Sequence, residues 1–349
     1  MTTLLARVEA LVLRLLMGLP PWLVRRLAGR PVVVDGLVLD PEAQWMLRLQ
    51  KLTGDPGLAG TVTDVRRATA RQTRLAGGRQ PVGEVRDVEL PGGDGRVPGR
   101  LYVPRSRVGD PLPSPLLFFI HGGGMVFGDL ESHDATCRFL AERADTRVLA
   151  VDYRLAPEHP FPAAVEDCWA AFQSVAEDAA RWGADPDRIA VGGDSAGGTL
   201  SAVVAVKAAE AGVPVRLQLL VYPATDMAET SESRRLFGDG FFLTSEFVEL
   251  AHTSYVTADQ DLRDPLVSVR HAEKLPPDLA PAHVVTAGFD PLRDEGEAYA
   301  QMLAEAGVPV ELTRYDSLIH GFLNVVGIGR SSRAAVAEIA ARLKGALHD

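Results

Sequence analysis

The sequence predicts an α/β fold: a mostly parallel central sheet of about eight strands, flanked by helices and topped by a helical cap. Three observations carry this expectation. From Leu116 onward, apolar runs of strand length alternate with runs of helix length, the order of a parallel sheet covered on both faces. A glycine-flanked serine, Gly193-Asp194-Ser195-Ala196-Gly197, stands between one such strand and one such helix. Some sixty residues separate Val221 from the strand that opens near Ala282, and a connection that long is a lid or a binding element more often than a plain loop.

The chain has 349 residues, which suits one large α/β domain with an attached lid, or two domains. An apolar share of 46% and a charged share of 23% allow a sizeable core. The net charge of −10 argues against nucleic acid as a main partner. The charge is unevenly spread: through Arg79 there are twelve Lys/Arg against six Asp/Glu, so that part stands at +6 and the remainder at −16. Cys137 and Cys168 are the only cysteines. They supply no disulfide framework and suit a reducing, cytoplasmic compartment. No Cys/His spacing suggests zinc, and neither a metal nor a cofactor is expected.

Taken in order, the first run places Leu4, Val8, Leu11 and Leu15 on one helical stripe with Arg7 and Arg14 opposite. It is too short and too charged to span a membrane. It reads as an amphipathic helix packed on the protein, with contact to a lipid surface, helped by Arg25, Arg26 and Arg30, as the alternative. Pro20-Pro21 ends it. Asp40 and Pro41 look like an N-cap and first helical residue, opening a helix through Trp45, Leu49 and Leu52 that Gly54 stops. Residues 62–76 are a further, arginine-laced helix, and this quarter shows no strand pattern. Val85–Leu90 and Gly99–Val103 read as a hairpin, and Leu116–Ile120 as a buried strand. Strands follow at 147–151, 189–191, 217–221, 284–286 and 310–314, with helices at 139–144, 163–182, 195–211, 295–306 and 334–347. Residues 1–80 therefore read as an accessory helical layer and 81–349 as the main domain. An insertion at about 224–260 holds a capped helix from Thr244 to about Tyr255 and could join the N-terminal helices as a cap above the sheet.

The stretch around Ser195 has the G-x-S-x-G spacing of a strand-to-helix elbow that pushes a nucleophilic serine out of the backbone. Gly193 and Gly197 remove side chains that would clash across the turn. The N–H of Ala196, at the helix start, is free to meet an oxyanion. A phosphate loop would need a lysine where Gly198 stands, which excludes that use. A second oxyanion donor should come from a glycine turn after an earlier strand, and His121-Gly122-Gly123-Gly124 follows Ile120 directly. His121 belongs to that turn, so it reads as a positioning residue. The order Ser, Asp, His then points to Asp290, at the mouth of the strand at 284–286, with Asp294 the lesser candidate and the expected cap of the next helix. It points to His320, in the loop after the last strand, as the base.

HGGG at 121–124, DYRLAPEHPFPAAVED at 152–167, GDSAGG at 193–198, DPLRDEG at 290–296 and HGF at 320–322 together resemble the hormone-sensitive-lipase-like family, the bacterial family IV esterases of the α/β-hydrolases. The resemblance spans roughly residues 81–349. It implies Ser195, Asp290 and His320 as a catalytic triad, and an oxyanion hole from the N–H groups of Gly123, Gly124 and Ala196 with Gly122 shaping the turn. It also implies a cap made from the N-terminal helices and the insertion, and hydrolysis of short- to medium-chain carboxylic esters.

Met125, Phe241 and Phe242 are candidate substrate contacts, the two phenylalanines equally able to pack the lid. Arg154 and Glu158 read as structural ion-pair residues. An amidase or deacetylase would use the same triad, and a membrane-surface lipase would use the basic N-terminal helices. A non-catalytic ligand-binding receptor of this fold lacks the catalytic histidine, against which His320 speaks. The expected partner is a small ester, with peripheral lipid contact and a homodimer as open alternatives.

Overall fold

The computed structural model of the protein describes residues 4–54 and 61–348. The chain opens with α1 (Leu4–Met17), α2 (Pro21–Ala28), a small hairpin of β1 (Val33–Val34) and β2 (Leu37–Val38), α3 (Pro41–Thr53) and α4 (Val62–Gly77). The hairpin corrects the expectation of a strand-free first quarter. Its turn is Asp35-Gly36, with φ of 54° and 72°, the Asp-Gly chemistry of a tight two-residue turn. Helix α3 starts as expected: Asp40 accepts from the N–H groups of Glu42 and Ala43, and Pro41 holds the first position. A Thr61–Asp64 capping box opens α4.

Helix α1 packs through the opposite face from the one expected. Leu13, Leu16 and Met17 join Val24, Ala28, Trp45 and Ile328 in one apolar cluster. Val8, Leu11, Val12 and Leu15 face outward; the side chain of Leu4 lies outside those described.

The main domain follows: β3 (Glu84–Pro91), β4 (Arg96–Val103), β5 (Ser114–Ile120), α5 (Asp134–Ala144), β6 (Arg147–Val151), α6 (Ala163–Glu177), β7 (Ala184–Asp194), α7 (Ala196–Glu210) and β8 (Leu217–Val221). After the insertion, with α8 (Glu232–Phe237) and α9 (Ser245–Tyr255), come β9 (Ala282–Phe289), α10 (Arg293–Glu305), β10 (Val310–Ile319) and α11 (Ser331–His348). The sheet has eight strands in the order β10-β9-β8-β7-β5-β6-β4-β3. The six from β10 to β6 run parallel, and the β3–β4 hairpin closes the edge antiparallel.

β5 is buried along its whole length because helices cover both faces. Leu116, Phe118 and Ile120 enter the core under α6, α7 and α10. Leu117 and Phe119 enter the core under α5 and α11. Full burial of each such side chain stabilises the fold by roughly 1.5–3 kcal/mol. Cys137 and Cys168 are buried and unpaired. Among the described residues no helix is long and apolar enough to cross a membrane.

Two features of this topology create room for a site at one edge of the sheet. β5 has β6 on one side and β7 on the other, so the chain reverses its direction of travel across the sheet there, and a crevice opens beyond the strand ends. Above those ends the N-terminal part and the insertion meet. Leu39 and Ala43 pack with Phe237 of α8 and with Phe289 and Ile319, the last residues of β9 and β10. Arg293 ties them further, bonded to Asp35 at 3.0 Å and lying over the Phe237 ring at 5.1 Å.

Candidate active site

β7 ends at Asp194 and α7 begins at Ala196, so Ser195 takes the whole reversal, with φ 54° and ψ −124°. Positive φ is costly for a residue with a Cβ, and the surroundings impose it: Ser195 N donates to Val221 O at 2.8 Å. The flanking glycines are required by β5. A Cβ on Gly193 would stand 2.1 Å from the Ile120 carbonyl oxygen, and one on Gly197 would stand 2.0 Å from the same atom. β5 and β7 are neighbours in parallel register, with Ile120 beside Gly193. The glycine turn after β5 and the elbow after β7 therefore emerge side by side.

In that turn Gly123 and Gly124 have φ of 119° and 63°. Their N–H groups and that of Ala196 meet no acceptor among the described residues. Gly122 differs: its N–H turns inward and donates to Asp194 Oδ1 at 3.0 Å.

β9 delivers Asp290 and the loop after β10 delivers His320. His320 Nδ1 lies 2.7 Å from Asp290 Oδ2, and Nε2 lies 3.1 Å from Ser195 Oγ. With Nδ1–H donating its hydrogen bond to the carboxylate, the Nε2 lone pair faces the serine hydroxyl. Asp290 is wholly buried and its other oxygen accepts from Leu292 N at 2.8 Å. The ring of Tyr222 lies 4.5 Å from that of His320. Asp294 does not cap α10 as expected, because the cap position is Leu292. Its carboxylate accepts from Ser233 N at 2.7 Å and from Arg293 at 2.9 Å.

A second set of polar residues, missed in the sequence, lies behind the elbow. The buried Asp194 carboxylate accepts from Gly122 N and Asn324 Nδ2, and has His133 Nε2 at 3.2 Å and the Tyr222 hydroxyl at 3.4 Å. Burial pushes this carboxyl up, but the His133 imidazole and the Gly122 N–H outweigh it and hold it below the ordinary carboxylate range. Asp194 thus stays charged and anchors the start of the glycine turn to the elbow. The one signal in the sequence was an acidic residue directly before the serine. His121 has neighbours of its own: it stacks on Tyr153 at 4.3 Å and has Gly122 O 2.9 Å from Nδ1.

The remaining candidates separate. Met125 is buried at φ 59°, and its carbonyl accepts from Ala156 N at 2.8 Å. Phe241 packs with Phe237 and Phe289, ring centroids 5.5 and 5.3 Å away, in the base of the cap. Phe242 is half-exposed beside Gly321, where a Cβ would meet its ring at 2.8 Å. The sequence did not single out Phe247 and Ala251 of α9. A Cβ on Gly124 would stand 2.7 Å from Ala251 Cβ, and the Phe247 ring lies 5.0 Å from that of Phe127. Arg154 and Glu158 both form ion pairs, though not with each other: Arg154 binds the buried Asp167 at 2.8 Å, and Glu158 binds Arg66 at 2.7 Å.

Residues 117–324 match the model of a family described by its α/β hydrolase fold. The carboxylic ester hydrolase LipN of Mycobacterium tuberculosis is 44% identical, with 98% of this chain and 93% of LipN covered. The esterase LipI of the same organism is 42% identical over 77% of this chain and 85% of its own length. Among solved structures, an ester hydrolase from the metagenome of Lake Arreo, held as a complex with a bipyridine phosphonate derivative, superposes with a TM-score of 0.83. It is 38% identical and covers 89% of this chain and 100% of its own.

Proposed function

Since the chain belongs to the hormone-sensitive-lipase-like esterases of the α/β-hydrolase superfamily, we propose that it is a carboxylesterase acting on short- to medium-chain esters through an acyl-enzyme on Ser195. The observation that carries this is the continuous chain of contacts from Asp290 through His320 to the Ser195 hydroxyl, 2.7 and 3.1 Å long. His320 takes the hydroxyl proton as Oγ attacks the ester carbonyl. The oxygen that gains the negative charge is met by the N–H groups of Gly123, Gly124 and Ala196. His320 then gives its proton to the departing alcohol, and a water deprotonated by His320 releases the acid. Asp290 keeps the imidazole in the tautomer that each step needs.

The short acyl preference is supported by α9, since Ala251 and Phe247 lie directly over the glycine turn. Steady-state kinetics on p-nitrophenyl esters of increasing acyl length, with the matching p-nitroanilides, test it. kcat/KM should be greatest at short to medium length, fall for long chains, and be far lower for the anilides. Anilide turnover as fast as ester turnover would make the protein an amidase. A preference for emulsified long-chain esters would make it a lipase.

A second reading concerns the lipid surface, and the outward face of α1 favours it. Val8, Leu11, Val12 and Leu15 form an exposed apolar stripe, and Trp22 of α2 is 68% exposed. Arg25, Arg26 and Arg30 are exposed on the segment beyond it. An apolar stripe beside an aromatic residue and arginines suits an anionic bilayer surface. The protein should therefore co-sediment with phosphatidylglycerol vesicles at low salt and not with phosphatidylcholine vesicles. Leu11→Ser/Leu15→Ser should release it. Equal binding by the variant, or a lipid-independent dimer that the variant dissolves, would overturn the lipid reading. The buried, unpaired thiols support a reducing, cytoplasmic setting.

A further inference from the structure

Helix α4 carries one arginine whose surroundings differ from those of the other basic residues of the N-terminal part. Arg66 reaches down from the cap and bonds the loops beneath. Its Nε donates to Val126 O at 2.7 Å and its Nη2 to Ala156 O at 2.7 Å. Nη1 and Nη2 also form a forked pair with Glu158 at 2.8 and 2.7 Å. Val126 and Ala156 are fully buried, and among the described residues no other donor reaches either carbonyl.

These carbonyls belong to the segments that shape the turn after β5. Gly123, Gly124 and Met125 stand at φ of 119°, 63° and 59° in succession. Left-handed geometry is unstrained for the glycines and costly for the methionine. The run is closed by Val126 N and Phe127 N, which donate to Gly123 O at 3.1 and 2.8 Å. Met125 O is held by Ala156 N at 2.8 Å. The guanidinium therefore grips both partners of Met125: the next residue on its own loop, and the residue opposite that bonds its carbonyl. Removing it leaves two buried carbonyls without a donor, directly beside a strained turn.

We propose that Arg66 is a positioning residue for ester hydrolysis: from the cap helix α4 it fixes the 123–126 turn, so the N-terminal segment sets the geometry of the oxyanion donors as well as covering the site. This rests on the reading that Gly123 and Gly124 donate to the oxyanion. Arg66 lies outside residues 117–324, which match the family model, so the core of the fold receives this support from a segment that precedes it. The planar fork matters, since a lysine at this position carries the charge to Glu158 but cannot serve Val126, Ala156 and Glu158 at once.

The test compares the wild type with Arg66→Met and Arg66→Lys. The readouts are kcat and KM on p-nitrophenyl butyrate, the Ki of an alkyl trifluoromethyl ketone, and the melting temperature. The ketone adds Ser195 to its carbonyl and places an oxyanion where the ester would. Displacing catalytic donors by about 1 Å costs on the order of 10²-fold. Arg66→Met should therefore lower kcat by about 10- to 100-fold and weaken the ketone by a similar factor, with KM within about threefold. Arg66→Lys should recover at most part of the melting temperature and not kcat. If Arg66→Met fails to fold, the kcat and ketone losses of Arg66→Lys decide. Unchanged kcat and ketone affinity in a folded variant, full rescue by lysine, or a loss confined to KM would each overturn the proposal. A wild type that the ketone does not inhibit would instead overturn the oxyanion reading on which it rests.

Discussion

Ser195→Ala is expected to lower kcat on p-nitrophenyl butyrate by about 10⁶-fold and to leave the melting temperature unchanged or slightly raised. The size reflects how such sites fail: losing the nucleophile costs about as much as losing all three members together. What remains is the slow attack of water assisted by the oxyanion donors. The stability side comes from the backbone. Ser195 is held at positive φ by Val221 O and by the packing of Gly193 and Gly197 against Ile120, and alanine keeps that strain without adding to it. The hydroxyl removed contacts His320 Nε2 at 3.1 Å and sits on a half-buried residue at the elbow, where water can take its place on the imidazole. Stopped-flow traces should also lose the p-nitrophenol burst that reports the acyl-enzyme. Hydrolysis by Ser195→Ala at the wild-type rate would remove Ser195 from the mechanism.

Asp290→Asn is expected to lower kcat by roughly 10⁴-fold while Asp294→Asn stays within about threefold. Asp290 Oδ2 lies 2.7 Å from His320 Nδ1, and its other oxygen is occupied by Leu292 N. Asparagine keeps that second bond. Presenting its NH₂ to Nδ1 would stabilise the tautomer whose proton sits on Nε2, facing Ser195, and that tautomer cannot accept the serine proton. Asp294 is bonded to Ser233 and Arg293, so its neutralisation weakens the attachment of α8 and leaves the imidazole untouched. Kinetics on both variants, with circular dichroism to show that each is folded, separate the two carboxylates. A crippled Asp294→Asn beside a mild Asp290→Asn would reverse the assignment.

Much of this site was legible in one dimension because its parts come directly after strands. Each of Ser195, Asp290 and His320 directly follows the last residue of a parallel strand, β7, β9 and β10 in turn, and all parallel strands end on one side of the sheet. Three residues far apart in sequence are thereby delivered to one edge. The glycines were legible for a related reason: no side chain fits between β5 and the elbow, so those positions admit no alternative. The Asp35-Gly36 turn was equally visible, yet two-residue strands fall below the length at which alternation can be recognised.

The α1 stripe was misread because a helical period shows that a helix has two faces without showing which of them meets a partner. Trp45 and Ile328 decide that, and they lie tens and hundreds of residues away. The same limit hid the cluster around Asp194. His133, Tyr222 and Asn324 carry no local pattern, and their common purpose appears only where three loops meet behind the elbow.

The sequence by itself determined the fold class, the order of the chemistry along the strands and the candidates for the reacting residues, because periodicity, glycine spacing and chain order are properties of a line. The tertiary structure alone decided which face of α1 is buried, that Gly122 serves Asp194, that Phe241 packs while Phe242 borders the site, and that Arg66 reaches the turn after β5. Each of these depends on which surfaces meet when the cap closes over the sheet, and contact between distant segments leaves no mark on the spacing of either.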